Sequence, residues 1–286
     1  MKIAVASGKG GTGKTTIATS FVFALRSTYD VVYADLDVEE PDGHIFINPH
    51  IKKEELITTL VPRIVEEKCT YCGICQKVCA FNAIFVFKNT RKISVLDELC
   101  KGCGNCMYNC PESAIYEIPR AIGVLRYGER DDIEFYEGRL NIGEIMTTTA
   151  ISYVKEKIDK HIEGDTVVVF DSPPGTSCPM VESVKDADFV ILVTEPTPFG
   201  LFDLQMAHGV IKKLQKPYGI IVNKYESGFK EMEEFFDREN IPVLLKIPFE
   251  RSIAEGYSRG ITLSLQDNSW NEKFKELFYR IKEQIQ

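Results

Sequence analysis

No apolar run in this 286-residue chain approaches the roughly 20 residues needed to cross a bilayer, so membrane insertion is not expected. Basic residues are in deficit. The 34 Lys and Arg against 42 Asp and Glu leave a net charge of −8, which argues against non-specific DNA binding as the main task while leaving room for a local basic patch. Nor is there room for a leader, because the first apolar run begins at Ile3 and leads straight into a glycine-rich stretch; a cytoplasmic protein is the expectation. Cysteines stay reduced in that compartment, so the nine present point to metal or redox chemistry rather than disulfides. Eight of them fall between residues 69 and 110. The hydrophobic fraction of 44% is ordinary for a globular chain, here long enough for one large α/β domain, alone or with a small second one.

The run Ile3-Ala4-Val5-Ala6 is followed by Gly8-Lys9-Gly10-Gly11-Thr12-Gly13-Lys14-Thr15-Thr16 and then by a helical pattern from Ile17 to Leu25. Strand, glycine-rich turn and helix in that order match G-x-x-x-x-G-K-[ST], the phosphate-binding P-loop. The glycines let successive backbone N–H groups face the β- and γ-phosphates of ATP at a helix start that favours anions. Lys14 is expected to reach the β/γ oxygens, and the Thr15 hydroxyl to hold Mg²⁺. Two further apolar runs end in acid: Val31 to Ala34 before Asp35, with Asp37 close behind, and Thr166 to Phe170 before Asp171. Acids at the carboxyl ends of parallel strands lie where α/β sheets bind ligands. Asp171 has the Walker-B form and is expected on Mg²⁺ through water. Asp35 and Asp37 could instead cap the turn before Pro41-Asp42-Gly43.

Lys9 is surplus to simple phosphate binding. Lys-Gly-Gly-Thr-Gly-Lys-Thr-Thr resembles the deviant-Walker ATPases, the MinD/ParA/nitrogenase-iron-protein group. The resemblance implies that Lys9 reaches across a face-to-face, ATP-dependent homodimer to the partner's nucleotide. It implies that Asp37 belongs to switch I and orients the attacking water, with Asp35 on the Mg²⁺ side. Gly175, within Ser172 to Cys178, matches the switch II glycine whose amide senses the γ-phosphate. Asn223, ending the strand pattern Tyr218 to Val222, matches the residue that reads the base, and Pro248 the loop that borders the adenine. A solvated Lys9 and a strand-end capping Asn223 are the plainer alternatives. Cys178 lies where nitrogenase iron proteins carry a cluster ligand. One thiol per subunit supplies only two of the four ligands a cube wants, so a buried or idle thiol is the simpler reading.

From about Ile51 the α/β rhythm stops, and residues 52–67 read as a charged, mixed boundary containing Pro62. An internal repeat follows. Cys69, Cys72, Cys75 and Cys79, with Ala83-Ile84 behind them, recur 31 residues later as Cys100, Cys103, Cys106 and Cys110, with Ala114-Ile115 behind. C-x₂-C-x₂-C-x₃-C twice is the bacterial two-cluster ferredoxin run, in which the fourth cysteine ligates the other cube. One [4Fe-4S] cluster is therefore assigned to Cys69, Cys72, Cys75 and Cys110, the other to Cys100, Cys103, Cys106 and Cys79. Ala80 stands where the motif usually has proline. Zinc is the competing reading of C-x₂-C pairs. Residues 83–95 between the copies read as a short hairpin.

Past Pro119 the α/β pattern resumes, with a helix expected from Thr147 to His161 and an amphipathic terminal helix over 269–286. The terminal helix balances lysine against glutamate and is expected to pack rather than lie on lipid. The expected fold is an α/β P-loop NTPase with a mostly parallel sheet (1–61 and 119–286) carrying an inserted two-cluster ferredoxin domain (62–118). The expected function couples ATP binding and hydrolysis in a dimer switch to electron transfer through two [4Fe-4S] clusters. An iron–sulfur or metal-cofactor assembly or carrier ATPase is the alternative, and a MinD/ParA-type spatial organiser a third. The redox partner or client metalloprotein is not specified by any motif.

Overall fold

A computed structural model describes residues 1–162 and 164–285. In chain order its strands are β1 (Lys2–Ala6), β2 (Val31–Asp35), β3 (His50–Ile64), β4 (Ile84–Phe87), β5 (Lys92–Val95), β6 (Ile115–Arg130), β7 (Ile133–Leu140), β8 (Val167–Asp171), β9 (Phe189–Thr194), β10 (Tyr218–Tyr225) and β11 (Val243–Pro248). Nine of them make one sheet in the order β11-β10-β9-β1-β8-β2-β7-β6-β3, while β4 and β5 pair separately. From β11 across to β7 the neighbours run parallel; β7–β6 and β6–β3 are antiparallel.

The parallel part explains why its strands were written as unbroken apolar runs. Helices cover both faces, so alternate residues feed two cores. In β1, Ala4 and Ala6 enter one core, while Ile3 and Val5 enter the other. The first core meets the helices Thr147–Asp159, Pro198–Lys213 and Lys230–Glu239; the second meets the P-loop helix Lys14–Leu25 and the terminal helix Asn268–Ile285. The terminal helix buries Trp270, Phe274, Leu277, Phe278 and Ile281, and Phe21 meets the rings of Phe274 and Phe278 edge-on at 6.1 and 6.0 Å. Residue 286 of the expected helix lies outside the described residues. No helix among the described residues is long and apolar enough to cross a membrane.

Residues 52–67 correct the sequence expectation. They are not a boundary without structure: most of them belong to β3, which pairs with β6 from His50↔Glu129 to Ile64↔Ile115. The strand escapes notice because it is the sheet edge and its first half is exposed on both faces, so no apolar run develops. Pro62 lies inside it, opposite Glu117, where an edge strand needs no ladder N–H on its free side. Residues 65–114 occupy the far end of this β3–β6 hairpin, and β4 and β5 form the expected small hairpin within them.

Cutting Phe274 back to Ala should cost about 3–5 kcal/mol of unfolding free energy, as for other buried aromatics. Denaturant titration reads this directly. A loss below about 1 kcal/mol would mean that the terminal helix is not part of the core.

Candidate nucleotide site and cysteine sets

The carboxyl ends of β1, β8 and β2 meet at one crevice. The P-loop leaves β1 with Gly11 and Gly13 in the left-handed region, at φ 76° and 92°, and the helix beginning at Lys14 has no acid in its first turn. Bulk is excluded around the loop: a Cβ on Gly8 would lie 2.1 Å from the Asp203 carbonyl oxygen, and one on Gly13 2.3 Å from Asn223 Nδ2. A cleft of about 400 Å³ opens over the loop. Its inner wall holds Gly10, Gly11, Lys14, Thr15 and Asp37; its outer wall holds Pro248, Phe249, Ile253 and Tyr257. The exposed rings of Phe249 and Tyr257 give that wall the flat apolar surface a base requires, and sequence reasoning reached only Pro248.

Negative charge accumulates below the cleft. Asp35 and Asp171 are both buried and face each other in register across β2 and β8. Tyr33 Oη donates to Asp171 Oδ2 at 2.8 Å, while Asp171 Oδ1 is buried with no hydrogen-bond partner. Burial pushes the Asp171 pKa up to about 7, against the pull of the Lys14 ammonium and the nearby Thr15 hydroxyl. An orphaned carboxylate oxygen beside a P-loop threonine fits a hydrated Mg²⁺, held by Thr15 and Asp171. Asp35 takes the turn-capping role given above as its alternative. Its two oxygens accept the backbone N–H groups of Asp37 at 3.1 Å, Asp42 at 3.1 Å and Gly43 at 2.8 Å, so it shapes the loop.

Asp37 is half-buried at the cleft floor, and burial lifts its pKa to about 6 despite the Lys14 charge. Gly175 sits at φ 99°, and its N–H donates to the Ser7 carbonyl at 3.0 Å rather than standing free for a phosphate. Asn223 is similarly committed. Its Nδ2 donates to the Thr12 carbonyl at 2.8 Å and its Oδ1 accepts from the Lys224 N–H, so here it buttresses the P-loop instead of presenting an amide to a base. Lys9 Nζ lies 3.6 Å from Glu195 Oε2, and the other oxygen of Glu195 takes Lys224 Nζ at 2.5 Å. Glu195 was not singled out in the sequence; its only signal is an acid directly after the apolar strand β9.

The model for the CobQ/CobB/MinD/ParA nucleotide-binding domain matches residues 3–263. The chain belongs to that family. An uncharacterised protein of Methanocaldococcus jannaschii is 30% identical over the whole of this chain and 98% of its own length. An iron–sulfur cluster carrier protein from the same organism is 28% identical over 42% of this chain and 47% of its own. Among solved structures, the septum site-determining protein MinD of Pyrococcus horikoshii, complexed with Mg-ADP, superposes with a TM-score of 0.59 at 18% identity, covering 99% of this chain and 98% of that one. These findings place a P-loop nucleotide-binding fold on the crevice just described.

The eight clustered cysteines form two sets at the hairpin end, and all are free thiols. Cys69, Cys72, Cys75 and Cys110 line one small cavity, with Ile64, Ile93 and Ile115 behind them. Burial pushes the Cys75 thiol up, and the neighbouring Cys72, Cys69 and Cys110 push it further. Cys100 is raised by burial and then by Cys103 and Cys79, and Cys106 is raised to about 11 by burial with Cys100 nearby. The backbone repeats with the sequence: left-handed residues recur at Tyr71 and Gly102, Gly73 and Gly104, and Asn82 and Ser113. Ala80 changes nothing visible. Ala83 N–H meets Cys79 Sγ at 3.3 Å, just as Ala114 N–H meets Cys110 Sγ at 3.3 Å in the copy that has proline. Among the described residues, no three His, Cys, Asp or Glu side chains gather as a ligand set for a single ion. Cys178 is exposed and stands apart from both sets.

Because Asp37 is less acidic folded than unfolded, its contribution to stability is present at acid pH and is lost as pH rises through about 6. Asp37→Asn should therefore stabilise the nucleotide-free protein at pH 8 by about 1–2 kcal/mol and flatten its stability between pH 5 and 8. Urea titrations at the two pH values test this. Equal destabilisation at both would show that the carboxylate is not strained by burial.

Proposed function

We propose that this protein binds and hydrolyses ATP and couples a nucleotide-dependent homodimer switch to electron transfer through two [4Fe-4S] clusters held by its hairpin end. The domain division is then 1–61 with 119–286 for the ATPase and 62–118 for a ferredoxin-type insert, in a cytoplasmic protein. Four thiols around one cavity, and a second four-cysteine run with matching backbone in which Cys103 and Cys79 neighbour Cys100, suit two cubes ligated by Cys69, Cys72, Cys75 and Cys110 and by Cys100, Cys103, Cys106 and Cys79. Such clusters supply one-electron chemistry when bound.

The observation that carries the coupling is a charged chain from the nucleotide cleft to the hairpin. Glu137 on β7 lies in register beside Asp35 and is fully buried. His44 Nδ1 stands 2.8 Å from it and Arg126 Nη1 3.4 Å. Arg126 is on β6, and its Nε also holds Glu54 on β3 at 2.9 Å. Both hairpin strands are thus tied to the strand pair that orders the Asp37–Gly43 loop. In the cleft, Lys14 and the P-loop amides hold the phosphates, Thr15 and Asp171 the Mg²⁺, and Asp37 orients water. Lys9 leaves Glu195 for the partner's nucleotide, and Gly175 releases Ser7 as the γ-phosphate arrives. The exposed stripe Phe199, Phe202 and Met206 beside the P-loop suits a dimer face. The second reading, a cluster carrier, is favoured by the 28% likeness to the iron–sulfur cluster carrier protein.

Anaerobic reconstitution should give about eight irons per chain. A non-hydrolysable ATP analogue should then shift the cluster potential by about 59 mV, a tenfold linkage, with the same factor appearing in analogue affinity for reduced and oxidised protein. Arg126→Ala should remove most of that shift while leaving iron content and analogue binding in place, since Arg126 touches neither the P-loop nor a cysteine. Stoichiometric zinc would sink the cluster reading. Iron with no potential shift, together with transfer of the metal to an apo-protein, would favour the carrier.

A further inference from the structure

The two cysteine sets have opposite surroundings. Cys79 and Cys100 pack against Val61 and Ile118 on the hairpin strands, and Cys100 Sγ lies 4.0 Å from the Leu60 carbonyl. A Cβ on Gly102 would meet Thr59 Oγ1 at 2.6 Å, and Arg63 pairs bidentately with Asp97 at 2.8 and 2.6 Å, so this turn is pressed onto the strands leading to the nucleotide cleft. The set of Cys69, Cys72, Cys75 and Cys110 lies further out, beyond Ile64 and Ile115. Its exposed member, Cys72, forms part of an open groove of about 890 Å³.

That groove is cationic. Lys77 and Lys88 line it and no carboxylate does. The Lys88 side chain crosses over the turn at Cys72: a Cβ on Gly73 would lie 3.2 Å from its Cε and 3.7 Å from its Nζ. Arg91 stands over the Tyr71 ring at 5.1 Å. Lys77, Lys88, Arg91 and Lys92 are all exposed, and among the described residues none of them forms an ion pair, although lysines and arginines elsewhere in the chain readily find carboxylates. The rim adds exposed Ile74 and Phe87.

We propose that this groove docks an acidic one-electron carrier protein against Cys72, which makes the outer cysteine set the exchange side of the insert and the inner set its internal side. This rests on the cluster reading above. Unpaired cations on a chain of net charge −8 attract an acidic surface, and the apolar rim gives a docked protein a dry centre. Nucleic acid is the competing polyanion, but two cations in the groove and two close to it in the chain neutralise few phosphates, and the remaining charge of the chain repels them.

The test measures binding of the full-length reconstituted protein to immobilised flavodoxin, an acidic one-electron carrier. Lys77→Glu/Lys88→Glu should weaken binding about tenfold or more at unchanged iron content, and added salt should weaken the wild type. Lys213→Glu, on the host domain, should bind as the wild type does. Undiminished binding by the double variant would overturn the proposal, as would capture of a single-stranded DNA oligonucleotide with no affinity for flavodoxin. A protein that retains no iron yet binds flavodoxin through Lys77 and Lys88 would keep the docking surface and refute the clusters.

Discussion

Mutual repulsion among buried carboxylates at the strand ends is the constraint on which the rest of this structure depends. Asp171, Asp35 and Glu137 occupy adjacent strands at one level of the sheet, and the buried cation Lys14 pulls on Asp171. Left in a low-dielectric interior, such a group protonates or finds a donor. Each meets it differently. Asp35 accepts from three backbone N–H groups; Glu137 accepts from Arg126 at one oxygen, with His44 Nδ1 2.8 Å from the other but not hydrogen-bonded to it; Asp171 takes one hydroxyl and keeps one oxygen unpaired. The unpaired oxygen of Asp171 is the one that fits a hydrated cation. The other two answers fix the loop after β2 and the β6 strand, so the charge problem of the cleft also sets the geometry around it.

The same economy explains the hairpin. Strands β3 and β6 extend well past the edge of the parallel sheet, and two strands alone make a poorly stabilised arm. Besides the chain through Arg126, Arg120 binds Glu144 at 2.7 Å, and Tyr153 and Lys157 on the helix Thr147–Asp159 both reach Glu55. These contacts brace the near half of the arm against the host domain. The far half is braced by the small core around Cys75, Ile84, Cys106 and Ile115, which belongs to the cysteine region itself. A displacement of the loop at Asp35 therefore meets a stiff lever rather than a tether.

What could be read in the sequence was what is local. The P-loop is a contiguous run, and its strand, turn and helix appear as written; the buried parallel strands announce themselves because both faces are covered. The cysteine repeat is a contiguous run as well, and in the structure Cys110 lines one small cavity with Cys69, Cys72 and Cys75. Strand β3 was not legible because an exposed edge strand carries no apolar signature. The contacts of Asp35 are local: Asp37, Asp42 and Gly43 follow it in the turn that the sequence offered as the alternative role. The long-range contacts were not legible. Asn223 donates to Thr12 and Lys9 pairs with Glu195, partners some 190 to 210 residues away, and no local pattern encodes such contacts.

Those long-range contacts also define what the nucleotide-free state withholds. Lys9 is paired within its own chain, the Gly175 amide is given to Ser7, and Asn223 is spent on the P-loop. Each is a modest, partly exposed interaction of about 1 kcal/mol, weak enough for a triphosphate to displace and strong enough to hold an order in its absence. They converge on the P-loop and the strand ends beside it, so phosphate entry unsettles them together. In the proposed coupling, the Asp37 loop, held to Asp35, would carry such a rearrangement to Glu137 and the arm. A switch built this way stores no strain; it exchanges one complete set of partners for another.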